Sequence, residues 1–254
     1  MAQNKKAEME FHEKMSTQIA KEELSGDEYV KKIKEITGLD FEKKETILDA
    51  GCGIGKFGCM LASEGYNVVG LDISHSLIKL SRSLSQDSRF MAVVGDLEMM
   101  PFRTNYFGAC ICIFVLHHFA KISTVCSEFS RVLRDNSKIL LIDTNGSNPY
   151  LRISRKMGIL VGTYLEKIGR ASRNEESHTH LVYLSELENV GFKTIDVRSH
   201  HLQTSSQMRL INSMAAFFFN YFMIIDRIMF RIAWRIMPQP LGGHCLIIRA
   251  VRTK

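Results

Sequence analysis

Three carboxylates stand at the ends of short apolar runs, each beside residues that leave the backbone accessible. Asp49 closes Ile47-Leu48 and leads into Gly51-Cys52-Gly53-Ile54-Gly55. Asp72 closes Val68-Val69-Gly70-Leu71 and is followed by Ile73-Ser74. Asp96 follows Val93-Val94-Gly95 and precedes Leu97-Glu98. An acid at a strand end can accept hydrogen bonds from a ligand's hydroxyl or amino groups. Glycines let the chain turn sharply and approach a ligand with no Cβ in the way, and a helix that follows offers free amides to an anionic group. A fourth feature, His117-His118, ends the apolar run Phe107–Val115. Imidazole titrates near neutrality, so either ring could take a proton from an acceptor.

These residues need a scaffold, and the hydrophobic patterning predicts one. Strands are expected at Thr46–Ala50, Asn67–Ile73, Phe90–Val94, Phe107–Val115, Lys138–Ile142, Lys193–Val197 and His244–Val251. Helices are expected at 5–36 with an interruption at Gly26, and at Phe57–Ser63, Ser74–Leu84, Ile122–Leu133 and Tyr183–Asn189. Strands and helices alternating at this spacing imply an α/β fold with a mostly parallel sheet. Phe107–Val115 is continuously apolar, as a strand covered on both faces should be. Residues 1–44 read as an N-terminal helical cap and 45–254 as one domain, with inserts at about 145–181 and 199–243.

Three nucleotide-binding patterns compete for the glycine-rich turn. A phosphate-binding loop requires G-x-x-x-x-G-K-[ST]. Here Ala50 stands five residues before Gly55-Lys56, and Phe57 follows, so both outer positions fail. Gly53-Ile54-Gly55-Lys56-Phe57-Gly58 does match the dinucleotide pattern G-x-G-x-x-G. That frame, however, starts four residues beyond Asp49, whereas its first glycine should directly follow the strand's apolar residues.

The third pattern fits every position. Asp49 with Gly51, Gly53 and Gly55 resembles motif I of the S-adenosylmethionine-dependent methyltransferases with a Rossmann-like fold. Leu71-Asp72-Ile73-Ser74 is similar to the family's acidic second-strand end. Val94-Gly95-Asp96-Leu97-Glu98 with Met100-Pro101-Phe102 is similar to its adenine-binding segment, and Phe107–Phe119 to its fourth-strand motif. Arg131-Val132-Leu133-Arg134 precedes the fifth strand as in many members. The resemblance implies a seven-stranded, mostly parallel Rossmann-like sheet with helices on both faces and helical lid inserts. It implies S-adenosyl-L-methionine as the cofactor, held by Asp49, Gly51, Gly53, Gly55, Asp72, Ile73, Asp96, Leu97, Ile113, Phe114 and His117. Asp72 would take the ribose hydroxyls. The Asp96 carboxylate and the Leu97 amide would take the adenine. His117 and His118 are the candidate bases; the plainer alternative is that this turn meets the cofactor through its backbone. The sequence departs from the family in having Asp135-Asn136-Ser137 where Pro-Gly-Gly is common. It also has no Asn/Asp-Pro-Pro-Tyr/Phe after the fourth strand, which argues against adenine or glutamine amino groups as acceptors.

Charge and the inserts bear on the acceptor. The 254-residue chain has a net charge of +6, divided as −2 over residues 1–144 and +8 over 145–254. The excess predicts an anionic partner or a solvated basic surface. Leu210–Ile225 holds 16 residues without a charge, short for a spanning helix. Arg227, Arg231 and Arg235 follow at helical spacing. Such a segment lies on a membrane surface or roofs an apolar pocket, with Phe217, Tyr221, Arg227 and Arg231 as candidate substrate residues, or is a lid helix packed on the core with an exposed arginine stripe. The leading expectation is methyl transfer to an apolar or amphiphilic small molecule: a lipid, quinone, secondary metabolite or lipid-linked sugar. The fourth-strand motif is also similar to the transfer-RNA wobble-uridine group. A non-catalytic cofactor-binding subunit is the third reading. Six cysteines without a C-x-x-C predict reduced, buried thiols. No metal is expected, since neither His178-x-His180 nor His200-His201 has a spaced ligand set nearby. The Lys- and Glu-rich N-terminus lacks the apolar core of a secretory signal, which predicts a cytoplasmic location, with peripheral membrane contact as the option that the uncharged insert raises.

Overall fold

The computed structural model describes residues 27–38, 41–85, 87–149, 177–200, 232, 236–243 and 245–253. Their elements run in chain order as α1 (Asp27–Thr37), β1 (Thr46–Ala50), α2 (Lys56–Ser63), β2 (Asn67–Asp72), α3 (His75–Leu84) and β3 (Phe90–Val94). Then come β4 (Phe107–Ile113), a 3-10 turn (Leu116–His118), α4 (Ser123–Val132), β5 (Leu133–Thr144), α5 (His180–Asn189), β6 (Phe192–His200) and β7 (Cys245–Arg252). All seven predicted strands are present.

They form one sheet in the order β3-β2-β1-β4-β5-β7-β6. The first five are parallel, and β7 runs antiparallel to both neighbours. The order reverses between β1 and β4, and an open α/β sheet leaves a crevice outside the strand ends at such a switch point. The chain segments entering that crevice are Gly51–Gly55 after β1 and Phe114–His118 after β4.

Parallel strands are sealed on both faces, which explains their unbroken apolar runs. One face carries Ile47, Ile111, Leu140, Ile142 and Ile247 against Ile33 of α1, Phe57 and Leu61 of α2 and Ile78 of α3. The other carries Leu48, Cys110, Cys112 and Leu141 against Phe129 of α4 and Tyr183 and Leu187 of α5. Cys110 and Cys112 thus share a face, and all six cysteines are free thiols.

Several boundaries differ from expectation for local reasons. β4 stops at Ile113, two residues short of the predicted Val115, because Phe114 adopts φ 55° and turns the chain out of the sheet. β5 starts at Leu133 instead of Lys138. Leu133 pairs with Phe107, and the ladder resumes at Ala109–Lys138 after an irregularity. α3 begins after Ser74, whose hydroxyl accepts from the Leu77 amide at 3.3 Å as an N-cap. α1 ends at Gly38 with φ 52°. The remainder of the predicted 5–36 helix, including Gly26, lies outside the described residues.

Candidate active site

The loop after β1 is fixed by the end of β2. The Gly51 and Cys52 amides both donate to the Leu71 carbonyl, at 2.7 and 3.0 Å. The Gly53 amide donates to Asp72 Oδ2 at 2.8 Å, and the Ser74 amide to Asp72 Oδ1 at 2.9 Å. Asp72 therefore ties the glycine turn to the start of α3. Gly51, Gly53 and Gly55 have φ of 75°, 54° and 77°, a region that costs an L-residue about 1–2 kcal/mol. Their surroundings differ. A Cβ on Gly51 would lie 2.3 Å from Val115 Cγ2, and one on Gly55 would lie 2.6 Å from Phe90 Cζ. One on Gly53 would meet nothing within 4 Å. Gly51 and Gly55 are demanded by packing, whereas Gly53 borders open space, as a ligand cradle should.

Asp49 lies beneath this turn and is 3% exposed. Its Oδ2 has no hydrogen-bond partner. Burial pushes its carboxyl up to about 7; the Gly58 amide pulls it down and Asp72 adds a smaller upward push. A buried, unsatisfied carboxylate oxygen is costly, and it fits a site that receives a cationic or donor-rich ligand. Burial also pushes up the Cys52 thiol, with Asp49 and Asp72 adding to it, so Cys52 is a packing residue.

The Asp96 segment is built as a tight turn. Asp96 Oδ1 accepts from the Glu98 amide at 2.9 Å and its carbonyl from the Met99 amide at 3.1 Å, while Leu97 and Met100 are buried. From α4, Glu128 Oε2 accepts from the Met100 amide at 2.6 Å. Arg131 donates to the Met100 and Phe102 carbonyls at 2.9 and 2.7 Å, and pairs with Glu128 at 2.6 Å. The hydrogen bond from Arg131 holds Glu128 below the usual carboxylate range against some opposing burial. This clamp sets the height of Asp96 and Leu97 above the sheet. Arg131 was legible as part of a motif; Glu128 carried no signal of its own.

Across the switch point, the Phe114 amide donates to the Ile142 carbonyl at 2.7 Å, and the chain winds into the 3-10 turn. His117 Nδ1 lies 2.7 Å from Asp143 Oδ1, and the His117 amide donates to Asp143 Oδ2 at 3.1 Å. Burial raises the Asp143 carboxyl, but the charge and hydrogen bond of His117, with the Thr144 and His117 amides, hold it net below its ordinary value. The His117 and His118 rings stand 4.1 Å apart, centroid to centroid. Asp143 read in the sequence only as the end of the fifth strand. An acid there, like those closing β1 and β2, was the available signal.

The roots of both inserts converge beside this turn. Asn145 Nδ2 donates to the Pro240 and Gly243 carbonyls, each at 2.9 Å. Asn148 Nδ2 donates to those of Gly242 and Gly243 at 3.2 and 3.1 Å. His178 Nε2 lies 2.7 Å from the Phe119 carbonyl, and His180 Nδ1 lies 2.6 Å from Ser147 Oγ. Both rings therefore serve as anchors. No group of three or more potential metal ligands occurs among the described residues. The candidate substrate residues Phe217, Tyr221, Arg227 and Arg231 lie outside the described residues, as does His201. The structure thus brings Asp49, Gly51, Gly53, Gly55, Asp72, Ile73, Asp96, Leu97, Ile113, Phe114, His117 and His118 to the carboxyl ends of β1 to β4, the edge expected for them.

Comparison with known proteins bears on this arrangement. Residues 48–141 match the family model described as a methyltransferase domain. The chain is 34% identical over 102 residues to a tRNA (carboxymethyluridine(34)-5-O)-methyltransferase of Xenopus tropicalis, covering 39% of this chain and 15% of that protein. It is 27% identical over 138 residues to the demethylmenaquinone methyltransferase of Beutenbergia cavernae, covering 54% and 56%. The chain thus spans less than two thirds of the length of these relatives. In structure it resembles geranyl diphosphate C-methyltransferase of Streptomyces coelicolor, determined with Mg2+, geranyl diphosphate and S-adenosyl-L-homocysteine. That likeness has a TM-score of 0.62 at 18% identity and covers 88% of this chain and 78% of that one. The methyltransferase-domain match thus covers residues 48–141, and the α/β fold around them is the Rossmann-like fold that the methyltransferase neighbours share.

Proposed function

We propose that this protein is an S-adenosylmethionine-dependent methyltransferase acting on an apolar or amphiphilic small molecule. The observation that carries the cofactor is the cradle at Gly53. Its positive φ, the open space where a Cβ would stand, and the unsatisfied Asp49 oxygen occur together at the switch point of the sheet. Asp49, the three glycines, Asp72, Ile73, Asp96 and Leu97 would hold the cofactor, with Ile113, Phe114 and His117 on the β4 side. When bound, the cofactor supplies an activated methyl group on a sulfonium. The protein's own contribution is then to align the acceptor and exclude water.

The acceptor half of the reading rests on the inserts. Their roots are tied together by Asn145 and Asn148, which follow closely on Asp143, the residue that meets His117. Residues 210–225, without a charge, lie between those roots. The structural neighbour that binds geranyl diphosphate joins an apolar chain to an anionic head, the chemistry that the uncharged run and nearby arginines suit. A second reading, methylation of transfer RNA, is favoured by the 34% identity to the carboxymethyluridine enzyme and by the basic second part. That identity spans 39% of this chain and leaves the larger part outside it.

Calorimetric titration with S-adenosylhomocysteine tests the cofactor. Binding is expected, and no binding by the native protein refutes the proposal. Salt separates the two acceptor readings. RNA binding should weaken steeply as counterions compete for the phosphates, whereas transfer to an amphiphile such as a quinol should change little. Among the described residues no helix is long and apolar enough to cross a membrane.

A further inference from the structure

Asp143 is 3% exposed, yet its carboxylate is richly engaged. It accepts from the Thr144 amide at 2.6 Å and the His117 amide at 3.1 Å, and it meets His117 Nδ1 at 2.7 Å. The Thr144 amide bond stays within β5, and the His117 amide bond by itself ties the turn after β4 to β5. The third contact selects a tautomer. An ionised carboxylate only accepts, so Nδ1 carries the proton and the basic lone pair of the neutral ring resides on Nε2.

Buried side chains surround the pair. Tyr183, reaching in from α5, is fully buried, and burial together with the charge of Asp143 keeps its phenol protonated. Cys112 of β4 is likewise kept neutral by burial. His118, in the same turn, presents the other titratable ring. With Tyr183 and Cys112 neutral, Asp143 is the negative charge that the His117 ring meets in a low-dielectric setting, where such pairing is strengthened.

Resting on the methyltransferase reading above, we propose that Asp143 is the positioning residue for a proton-accepting His117, which works through Nε2. In the transfer step the acceptor's proton passes to Nε2. The electron pair so released forms the bond to the methyl carbon, and the carbon–sulfur bond breaks with its pair going to sulfur. Such a group serves a hydroxyl or an acidic carbon. A carboxylate acceptor, already ionised at neutral pH, has no use for it.

Diethyl pyrocarbonate acylates neutral imidazole, and peptide mapping by mass spectrometry reads the rate at His117 between about pH 5 and 8. In the wild type His117 should react with a sigmoidal pH profile. Asp143→Asn should slow the reaction several-fold and move the profile to lower pH, and Asp143→Glu should recover part of both effects. An unreactive His117 in the wild type, or the same profile in Asp143→Asn, overturns the proposal. Should Asp143→Asn fail to fold, nitrogen-15 NMR of the wild-type His117 ring carries the test: a neutral ring protonated at Nδ1 is expected, and one protonated at Nε2 overturns the proposal. Titration with S-adenosylhomocysteine on the same samples keeps the two readings apart. Undiminished binding by the variants shows an intact fold, whereas absence of binding by the wild type rejects the methyltransferase reading and leaves the His117 profile to be judged by itself.

Discussion

Replacing Asp49 with Asn isolates the energetic cost of its buried carboxylate. The side chain is 3% exposed and one oxygen has no partner, so burial moves its carboxyl from an ordinary 3.8 to about 7. The raised value means that the fold prefers the neutral form. Stability is therefore full below the unfolded-state value and is lost as pH rises toward 7, then levels off. At about 1.4 kcal/mol per pH unit, the step corresponds to about 4 kcal/mol. Asn is nearly isosteric and uncharged at every pH. Urea unfolding of the ligand-free proteins across about pH 4 to 8 should show the two nearly equal at the acid end. Asp49→Asn should gain steadily with pH and lead by a few kcal/mol above pH 7. Subtracting the two curves cancels the other titrating groups. A difference that stays flat with pH, or that grows toward acid, would refute the picture of Asp49 as an uncompensated buried acid.

The remaining predictions concern the cofactor site and its supports. Asp72→Ala should weaken S-adenosylhomocysteine binding by about 1–3 kcal/mol, read by calorimetry, because it removes a charged acceptor and releases the Gly53 amide. Gly51→Ala should destabilise the fold far more than Gly53→Ala in thermal unfolding. Both place Ala at positive φ, but only Gly51 would also drive a Cβ into Val115. Gly53→Ala should instead be felt in ligand affinity. Glu128→Gln should cost about 1–2 kcal/mol of stability by weakening the hold on the Met100–Phe102 strip, with a parallel loss of cofactor affinity. Asp143 titrates in the opposite sense to Asp49. Its folded value is depressed, so its contribution is present above the unfolded value and is lost as acid carries the pH down through the folded one. Asp143→Asn should remove that acid-sensitive part from the stability curve.

The cofactor half was legible because its signals are local. Buried parallel strands write continuous apolar runs, glycines mark the turn, and an acid at each of several strand ends marks one edge of the sheet. Strand ends were less legible. β4 stops at Ile113 because of the backbone at Phe114, and β5 reaches back to Leu133 because Phe107 offers it a ladder partner. The first depends on a turn that the Ile142 carbonyl holds from across the sheet, and the second on a partner far away in the chain, so apolar patterning reports neither.

What the sequence determined by itself is the α/β class, the seven strands and the identity of the residues that gather at the switch point. What only the tertiary structure decided is which of them hold one another. Asp143 lies 26 residues from His117 along the chain, and Glu128 lies 28 from Met100. Gly53 and Gly51 share a motif but face, respectively, open space and Val115. The roots of the two inserts, more than ninety residues apart, close on each other through Asn145 and Asn148. Periodicity reports the environment of one element at a time. Pairings between elements depend on sheet order and crossover, which bring distant residues together at a few ångströms and decide how many partners each buried carboxylate meets.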